Sequence, residues 1–313
     1  MNHIFGPVPS RRLGRSLGID VVPSKTCSFD CIYCESGPTT LLTVKRQNFT
    51  DPAEVLRQLD DFFHRFPNGA DVITFSSAGE PTLYLPLGEL ITAIKRKYPD
   101  FPLIVLTNGS LLWDPNVRKD LVKASRVVPS LDAATVESFH AINRPHPSLD
   151  LQRIQEGLKA FRRDYKGQLH LEIMLAAGVN DNREELDALA RAAEDIKPDR
   201  IELNTVVRPP ARTGTCGLSN EQMQKAAACF PRKSTQIIGV FEAGGRDSGA
   251  DDLEDRILHT IERRPCTISE LAASLGVPEN RLEIESKKLQ ECNKLEIRLF
   301  GGKQFLCPQH TRD

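Results

Sequence analysis

The chain has 313 residues, more than one hydrophobic core usually needs, so two domains are expected. Forty-one Lys and Arg against 42 Asp and Glu leave a formal net charge of −1, which excludes a global attraction to polyanions, so any nucleic-acid contact has to come from a local patch. The start, Met1-Asn-His-Ile-Phe-Gly-Pro7, lacks the basic-then-apolar pattern of a signal peptide, and no apolar run approaches a membrane span, so the expected location is the cytoplasm.

In chain order, Pro9 to Gly18 puts Arg11, Arg12 and Arg15 in a Gly/Pro-punctuated loop. Three guanidinium groups there suit paired hydrogen bonds to the phosphate or carboxylate of a substrate at the mouth beside the cysteines, or else surface ion pairs. An apolar run, Leu17 to Pro23, leads into Cys27-Ser-Phe-Asp-Cys31-Ile-Tyr-Cys34. Thiolates select zinc or iron–sulfur clusters. A closed zinc site wants four ligands, usually from two paired halves, and no second Cys-x-x-Cys or paired histidine is present. Three cysteines on a four-iron cluster would leave one iron open to a ligand. The other five, Cys216, Cys229, Cys266, Cys292 and Cys307, are scattered and read as reduced thiols.

From residue 51 helices and strands alternate. Thr50 or Asp51 caps a helix to about Arg65, Asp71 to Ser77 reads as a strand, Leu87 to Tyr98 as a helix, and Leu103 to Gly109 as a strand. There follow a helix from Pro115 to Ser125, a strand from Arg126 to Asp132, a helix from Leu149 to Tyr165, and a strand from His170 to Ala176. A helix from Arg183 to Ile196 and a strand from Arg200 to Val207 complete the series. With the strand before the cysteines this makes six βα-type repeats, hence a parallel sheet with right-handed crossovers and functional groups at the carboxyl ends of its strands. The ends carry Ser76 to Glu80, Thr107 to Ser110, Ser130 to Asp132, Asn180 to Asn182, and Asn204-Thr205. Glu172 and Met174, like Glu202 and Asn204, alternate with apolar neighbours, so one face of each late strand is directed to the interior. Arg144 and His146 lie beyond strand four within reach of a substrate.

The spacing Cx3CxxC with Tyr33 before the third cysteine resembles the cluster loop of the radical S-adenosylmethionine (SAM) superfamily. The resemblance implies a [4Fe-4S] cluster on Cys27, Cys31 and Cys34, SAM chelated to the open iron with Tyr33 near its adenine, and reductive cleavage of SAM to methionine and a 5′-deoxyadenosyl radical. It also implies a low-potential electron donor of flavodoxin or ferredoxin type. Ala78-Gly79-Glu80-Pro81, a turn if taken alone, resembles the family's Gly-Gly-Glu-Pro motif for the methionyl ammonium, with Ala78 in place of the first glycine. Ser130, Asp132, Asn108 and Asn204 match strand-end positions for the rest of SAM, Ser130 and Asp132 serving equally as helix caps. The stretches Phe5 to Asp20, Lys25 to Cys34, Ser77 to Leu83, Ile142 to His146 and Leu203 to Pro210 look like a group of uncharacterised prokaryotic iron–sulfur oxidoreductases. That group is similar to the radical SAM enzymes of tRNA wybutosine synthesis, which need further cysteines before the SAM cluster; none precedes Cys27 here, against the same reaction though not against RNA.

After Arg212 come a helix from Leu218 to Ala228, a short strand from Gln236 to Phe241, and a glycine-rich linker. Beyond it, a helix from Asp251 to Arg263, one capped at Thr267 and ended by Gly276, a third from Pro278 to Cys292, and a glycine-turned hairpin resemble a winged helix-turn-helix domain. The expected division is a radical SAM domain over residues 1–243, a linker over 244–250, and the winged-helix-like domain over 251–313. Ten Lys and Arg against twelve Asp and Glu in 251–313 give no strongly basic face, so this domain is expected to dock nucleic acid or protein. The expected fold is α/β, a partial (βα)6 barrel followed by a small winged helix-turn-helix domain. The expected function is radical SAM hydrogen abstraction from a substrate such as an RNA base. A protein, peptide or metabolite substrate is the alternative, and a cluster- or SAM-responsive DNA-binding regulator is the reading from another class. No residue is assigned as a catalytic acid, base or nucleophile.

Overall fold

The computed structural model describes residues 3–10, 13–238 and 253–309. Arg11, Arg12 and the expected linker at 244–250 lie outside them. The chain runs through strands β1 (Ile4–Ser10), β2 (Gly14–Ile19), β3 (Thr26–Cys27) and β4 (Leu41–Leu42), then α1 (Pro52–Arg65), β5 (Val72–Phe75), a 3-10 turn (Pro81–Leu83) and α2 (Leu87–Lys97). It continues with β6 (Leu103–Thr107), α3 (Pro115–Leu121), β7 (Arg126–Pro129), α4 (Val136–Ile142), α5 (Leu151–Asp164), β8 (Gln168–Leu175), α6 (Arg183–Ile196), β9 (Arg200–Thr205), α7 (Asn220–Ala227) and β10 (Thr235–Ile237). The C-terminal unit comprises α8 (Leu253–Arg263), α9 (Ile268–Leu275), α10 (Glu279–Glu291) and the hairpin β11 (Leu295–Phe300) and β12 (Lys303–Pro308).

The main sheet has the order β1-β2-β5-β6-β7-β8-β9-β10. β2 to β10 pair in parallel, as strands joined through crossover helices must. The six expected strands form its middle; β10 extends it in parallel and β1 adds an antiparallel edge on β2. β1 was not foreseen, because Gly6, Pro7 and Pro9 interrupt its pattern, yet an edge strand tolerates proline.

The two faces of the sheet differ. Leu17, Ile19, Ile73, Phe75, Leu103, Val105, Val127, Leu171, Ile173 and Leu203 pack against the helices in one continuous core. The alternate residues face the concave interior, where Leu13, Val72, Ile104 and Val128 make only a small apolar patch. Beside it stand buried Ser16, Thr74, His170, Glu202 and Asn204. A one-sided helical layer over a sheet with a polar concave face is a partial barrel.

Caps set the helix starts. Asp51 Oδ1 accepts from Ala53 N–H, and Asn182 Oδ1 from Glu185 N–H, each at 2.9 Å. Glu185 is itself buried, and its carboxylate accepts from Ala134 N–H, Thr135 N–H and the Thr135 hydroxyl. This ties the start of α6 to the segment that follows β7. No helix among the described residues is long and apolar enough to cross a membrane.

Removing the Glu185 carboxylate should orphan three half-buried donors at once. We expect Glu185→Ala to lower stability by about 1–3 kcal/mol, read as a shifted urea midpoint with an unchanged slope.

Candidate functional site

The mouth at the carboxyl ends of the strands rests on the docking of one loop against another. Lys25 N–H donates to Ala78 O at 2.5 Å and Glu80 N–H to Thr26 O at 3.0 Å, which lays β3 against the Ala78-Gly79-Glu80 turn. A Cβ on Gly79 would stand 2.2 Å from Thr26 O, so this approach needs glycine. The turn is pinned in its own right. Glu80 Oε1 accepts from Thr82 N–H at 2.9 Å and from the hydroxyls of Thr82 and Thr107 at 2.6 Å each, and Oε2 accepts from Asn108 N–H at 2.7 Å. Burial raises the Glu80 carboxyl, opposed by those donors. With one donor, Oε2 keeps capacity for another.

The cysteine loop is held from three sides. Asp30, between Cys27 and Cys31, accepts from Thr39 N–H at 2.8 Å, Arg144 Nε at 3.1 Å and Arg212 Nη2 at 3.2 Å. Phe29 N–H and Asn108 Nδ2 each point at Cys27 Sγ from 3.5 Å, and Asn143 Nδ2 at Cys31 Sγ from 3.5 Å. Burial pushes the Cys27 thiol up to about 12 and raises Cys31 and Cys34 as well. Thiols so placed ionise against the positive charge of a metal centre. N–H groups aimed at sulfur are what metal-bound sulfur accepts.

Among the described residues no three His, Cys, Asp or Glu side chains converge as a mononuclear metal site requires. A four-iron cluster takes its thiolates on different irons, so its ligands stand apart. Three thiols on one loop, with N–H groups aimed at the sulfurs of Cys27 and Cys31, fit an iron–sulfur cluster. Ser77 Oγ, at the end of β5, is buried with no hydrogen-bond partner, a polar atom left over for a bound group at this mouth.

The segment after β7 reaches across to the cysteine loop. Asp132, 2% exposed, accepts at Oδ2 from the Tyr33 hydroxyl at 2.5 Å and Asn143 Nδ2 at 2.7 Å, and at Oδ1 from Met174 N–H at 2.9 Å. Burial pushes its carboxyl up to about 6 against the pull of these donors. Ser130 and Asp132 line a pocket with Phe29, Asn108, Phe139 and Asn143. On the late strands Glu172 and Glu202 stand in register. Asn204 Nδ2 donates to Glu172 Oε1 at 3.1 Å, and His170 Nδ1 lies 2.7 Å from Glu202 Oε1.

Tyr33, Ala78, Gly79, Glu80, Asn108, Ser130 and Asp132 thus gather around the cysteine loop, and Asn204 stands on the interior wall. Two expected substrate residues are placed differently. Arg15 begins β2 and Asp71 precedes β5; they pair at 2.7 Å at the amino ends of the strands, opposite the mouth. The length of β2 itself separates Arg15 from the cysteines. Arg144 is spent on Asp30, shaping the loop. Asn143 was missed: it caps α4, and only its place beside Arg144 in the motif stretch marks it. His170 was missed too, although it continues the alternation of Glu172 and Met174.

Residues 21–192 match the model of the radical SAM superfamily. A protein named GTPase Obg from Brachyspira hyodysenteriae is 38% identical over 96% of this chain, which spans only 44% of that protein's length. A UPF0026 protein of Methanocaldococcus jannaschii is 32% identical over 97% of this chain and 95% of its own length. The S-adenosyl-L-methionine-dependent tRNA 4-demethylwyosine synthase of Oryza sativa is 25% identical over 65% of this chain and 32% of its own. In fold, a radical SAM methyltransferase from Sphaerobacter thermophilus superposes over 71% of this chain and 66% of its own with a TM-score of 0.56 at 14% identity.

A methyl group at Gly79 should break the docking of the cysteine loop. We expect Gly79→Ala to cost about 1–3 kcal/mol of stability and to take up less iron per chain on anaerobic reconstitution, measured by thermal melts and iron analysis. By the span of the family match and the nearly full-length likeness to the UPF0026 protein, the chain belongs to the radical SAM superfamily and is a radical SAM enzyme with a [4Fe-4S] cluster and SAM as cofactors.

Proposed function

We propose that Cys27, Cys31 and Cys34 hold the cluster and that the enzyme abstracts hydrogen from an RNA base. When bound, the cluster supplies the electron for reductive cleavage of SAM. The chain's own residues hold and orient. Glu80 Oε2, with its remaining acceptor capacity, takes the methionyl ammonium beside Ala78 and Gly79. Asn108, Ser130 and Asp132 line the side of the mouth where the ribose and carboxylate would lie, with Tyr33 fixed beside them by its bond to Asp132. Asn204 faces SAM or substrate from the interior wall. A low-potential donor of flavodoxin or ferredoxin type supplies the electron.

The observation that carries the substrate reading is the interior wall. His170, Glu172, Glu202 and Asn204 form a largely buried polar group, hydrogen-bonded within itself, whose carboxylates suit the N–H groups of a base edge and repel phosphate. A base unstacked into the barrel, its backbone left outside, satisfies both conditions. The likeness to the tRNA 4-demethylwyosine synthase supports RNA over other carriers of such an edge. With the arginines of the first loop either opposite the mouth or outside the described residues, phosphate contacts fall to other parts of the surface. The C-terminal unit, which we propose to be of winged-helix type, is one candidate.

The deciding assay is anaerobic. The reconstituted protein is given SAM and a strong reductant, and 5′-deoxyadenosine is quantified with and without a small-RNA fraction. We expect cleavage that rises with RNA and is lost in Cys27→Ala, Cys31→Ala and Cys34→Ala. Cleavage indifferent to RNA would transfer the substrate to protein, peptide or metabolite, and none from a loaded cluster would favour a cluster-responsive regulator. In a second measurement, Asn143→Leu removes an N–H directed at Cys31 sulfur, and loss of such a donor lowers the potential of a cluster. An EPR-monitored redox titration should show a midpoint below that of the unaltered protein.

A further inference from the structure

The main sheet is open, its edges being β1 and β10. The C-terminal unit touches the β1 edge of that opening and, through Arg208, the segment that follows β9. α9 packs along β1, with α8 beside it. Phe300, at the tip of the hairpin, packs against the core of the main domain.

From the far side of the sheet comes Arg208, in the segment after β9. Its side chain is 5% exposed. Nη2 donates to Glu270 Oε1 of α9 at 2.7 Å, Nε to Pro265 O at 3.1 Å, and Nη1 to Glu35 Oε1 at 3.4 Å. Glu35 follows the last cysteine of the cluster loop directly. Glu270 also accepts at Oε2 from Thr267 N–H at 3.1 Å, closing the cap of α9. A buried guanidinium is tolerable only with such a set of partners, and removing one side leaves uncompensated charge in the interface. One arginine thus ties together the far strands, the cysteine loop and the C-terminal unit.

We infer that the C-terminal unit is the wall that closes the open side of the partial barrel beside the cluster loop, with Arg208 as its latch, so that it decides the size of what reaches the reaction chamber. A substrate of small radius passes with the latch closed, and a macromolecular one requires the unit to swing from β1. Arg208 is a positioning residue in this scheme, and the inference holds for any substrate class.

The test uses the full chain without cofactors. Hydrogen exchange is followed over Ile4–Ser10 and Ile268–Leu275, with α6 as the internal reference, in the unaltered protein, Arg208→Ala, Arg208→Lys and Glu270→Gln. In parallel, alkylation of Cys34 is timed with iodoacetamide and with a polymer-linked maleimide. In Arg208→Ala, exchange in both segments should rise about a hundredfold with α6 unchanged. The bulky reagent should gain on the small one at Cys34, and Arg208→Lys should restore part of both effects. Should Arg208→Ala fail to fold, Glu270→Gln decides by the same two readouts. If either readout stays at the unaltered level in a folded variant, the wall and its latch are refuted.

Discussion

The site depends on a backbone-to-backbone contact that no side chain could replace. The cysteine loop can lie where it does because Gly79 has no Cβ, and the two hydrogen bonds between Lys25, Thr26 and the Ala78-to-Glu80 turn use main-chain groups that a parallel sheet leaves unpaired at strand ends. Everything that then reaches toward the sulfurs is referred to that contact. Asn108 receives its place from Glu80, which accepts its N–H, and passes it on to Cys27 and Ser28 through its amide. Burying the carboxylate is tolerable because four donors surround it. The motif proposed to bind SAM is thus also the frame that holds the cysteine loop, through the backbone N–H of Glu80.

A second chain of contacts runs from the opposite side. Asp132 binds Tyr33 and Asn143, and Asn143 turns its amide to Cys31. The first and second cysteines are separated by four positions, yet the amides aimed at them follow different strands, Asn108 after β6 and Asn143 after β7. A rigid helix-backed sheet beneath a loop is what allows such a loop to keep a shape with little regular structure of its own.

Much of this was legible in the sequence for a physical reason: parallel strands buried on one face and amphipathic helices write their periods into the chain, and the strand ends write polar residues after them. The helix Arg183–Ile196 could be read to the residue because Asn182 and an unbroken apolar stripe bound it. The errors have equally definite causes. β1 carries two prolines and a glycine, acceptable at an edge but invisible to a pattern rule. α4 has seven residues, too few to show a helical period. Arg15 was assigned to the mouth by proximity in sequence, whereas a strand carries its two ends to opposite sides of the sheet. His170 and Glu202 belong to different strands, and only register brings them together.

The concave face and the C-terminal unit answer one chemical requirement from two directions. A radical that abstracts hydrogen attacks whatever C–H bond is nearest, so the chamber has to hold the intended substrate close and keep the protein's own vulnerable groups and solvent away. A polar wall of carboxylates, imidazole and amide offers hydrogen bonds for orientation, while most aliphatic side chains of the sheet lie on the helical face. An open sheet would leave this chamber exposed along β1 and β10. A unit pressed against β1 and tied through Arg208 to the segment after β9 turns the open sheet into an enclosure without adding strands, and leaves the enclosure able to open, because an ion-paired contact can be exchanged for water more readily than a row of strand hydrogen bonds.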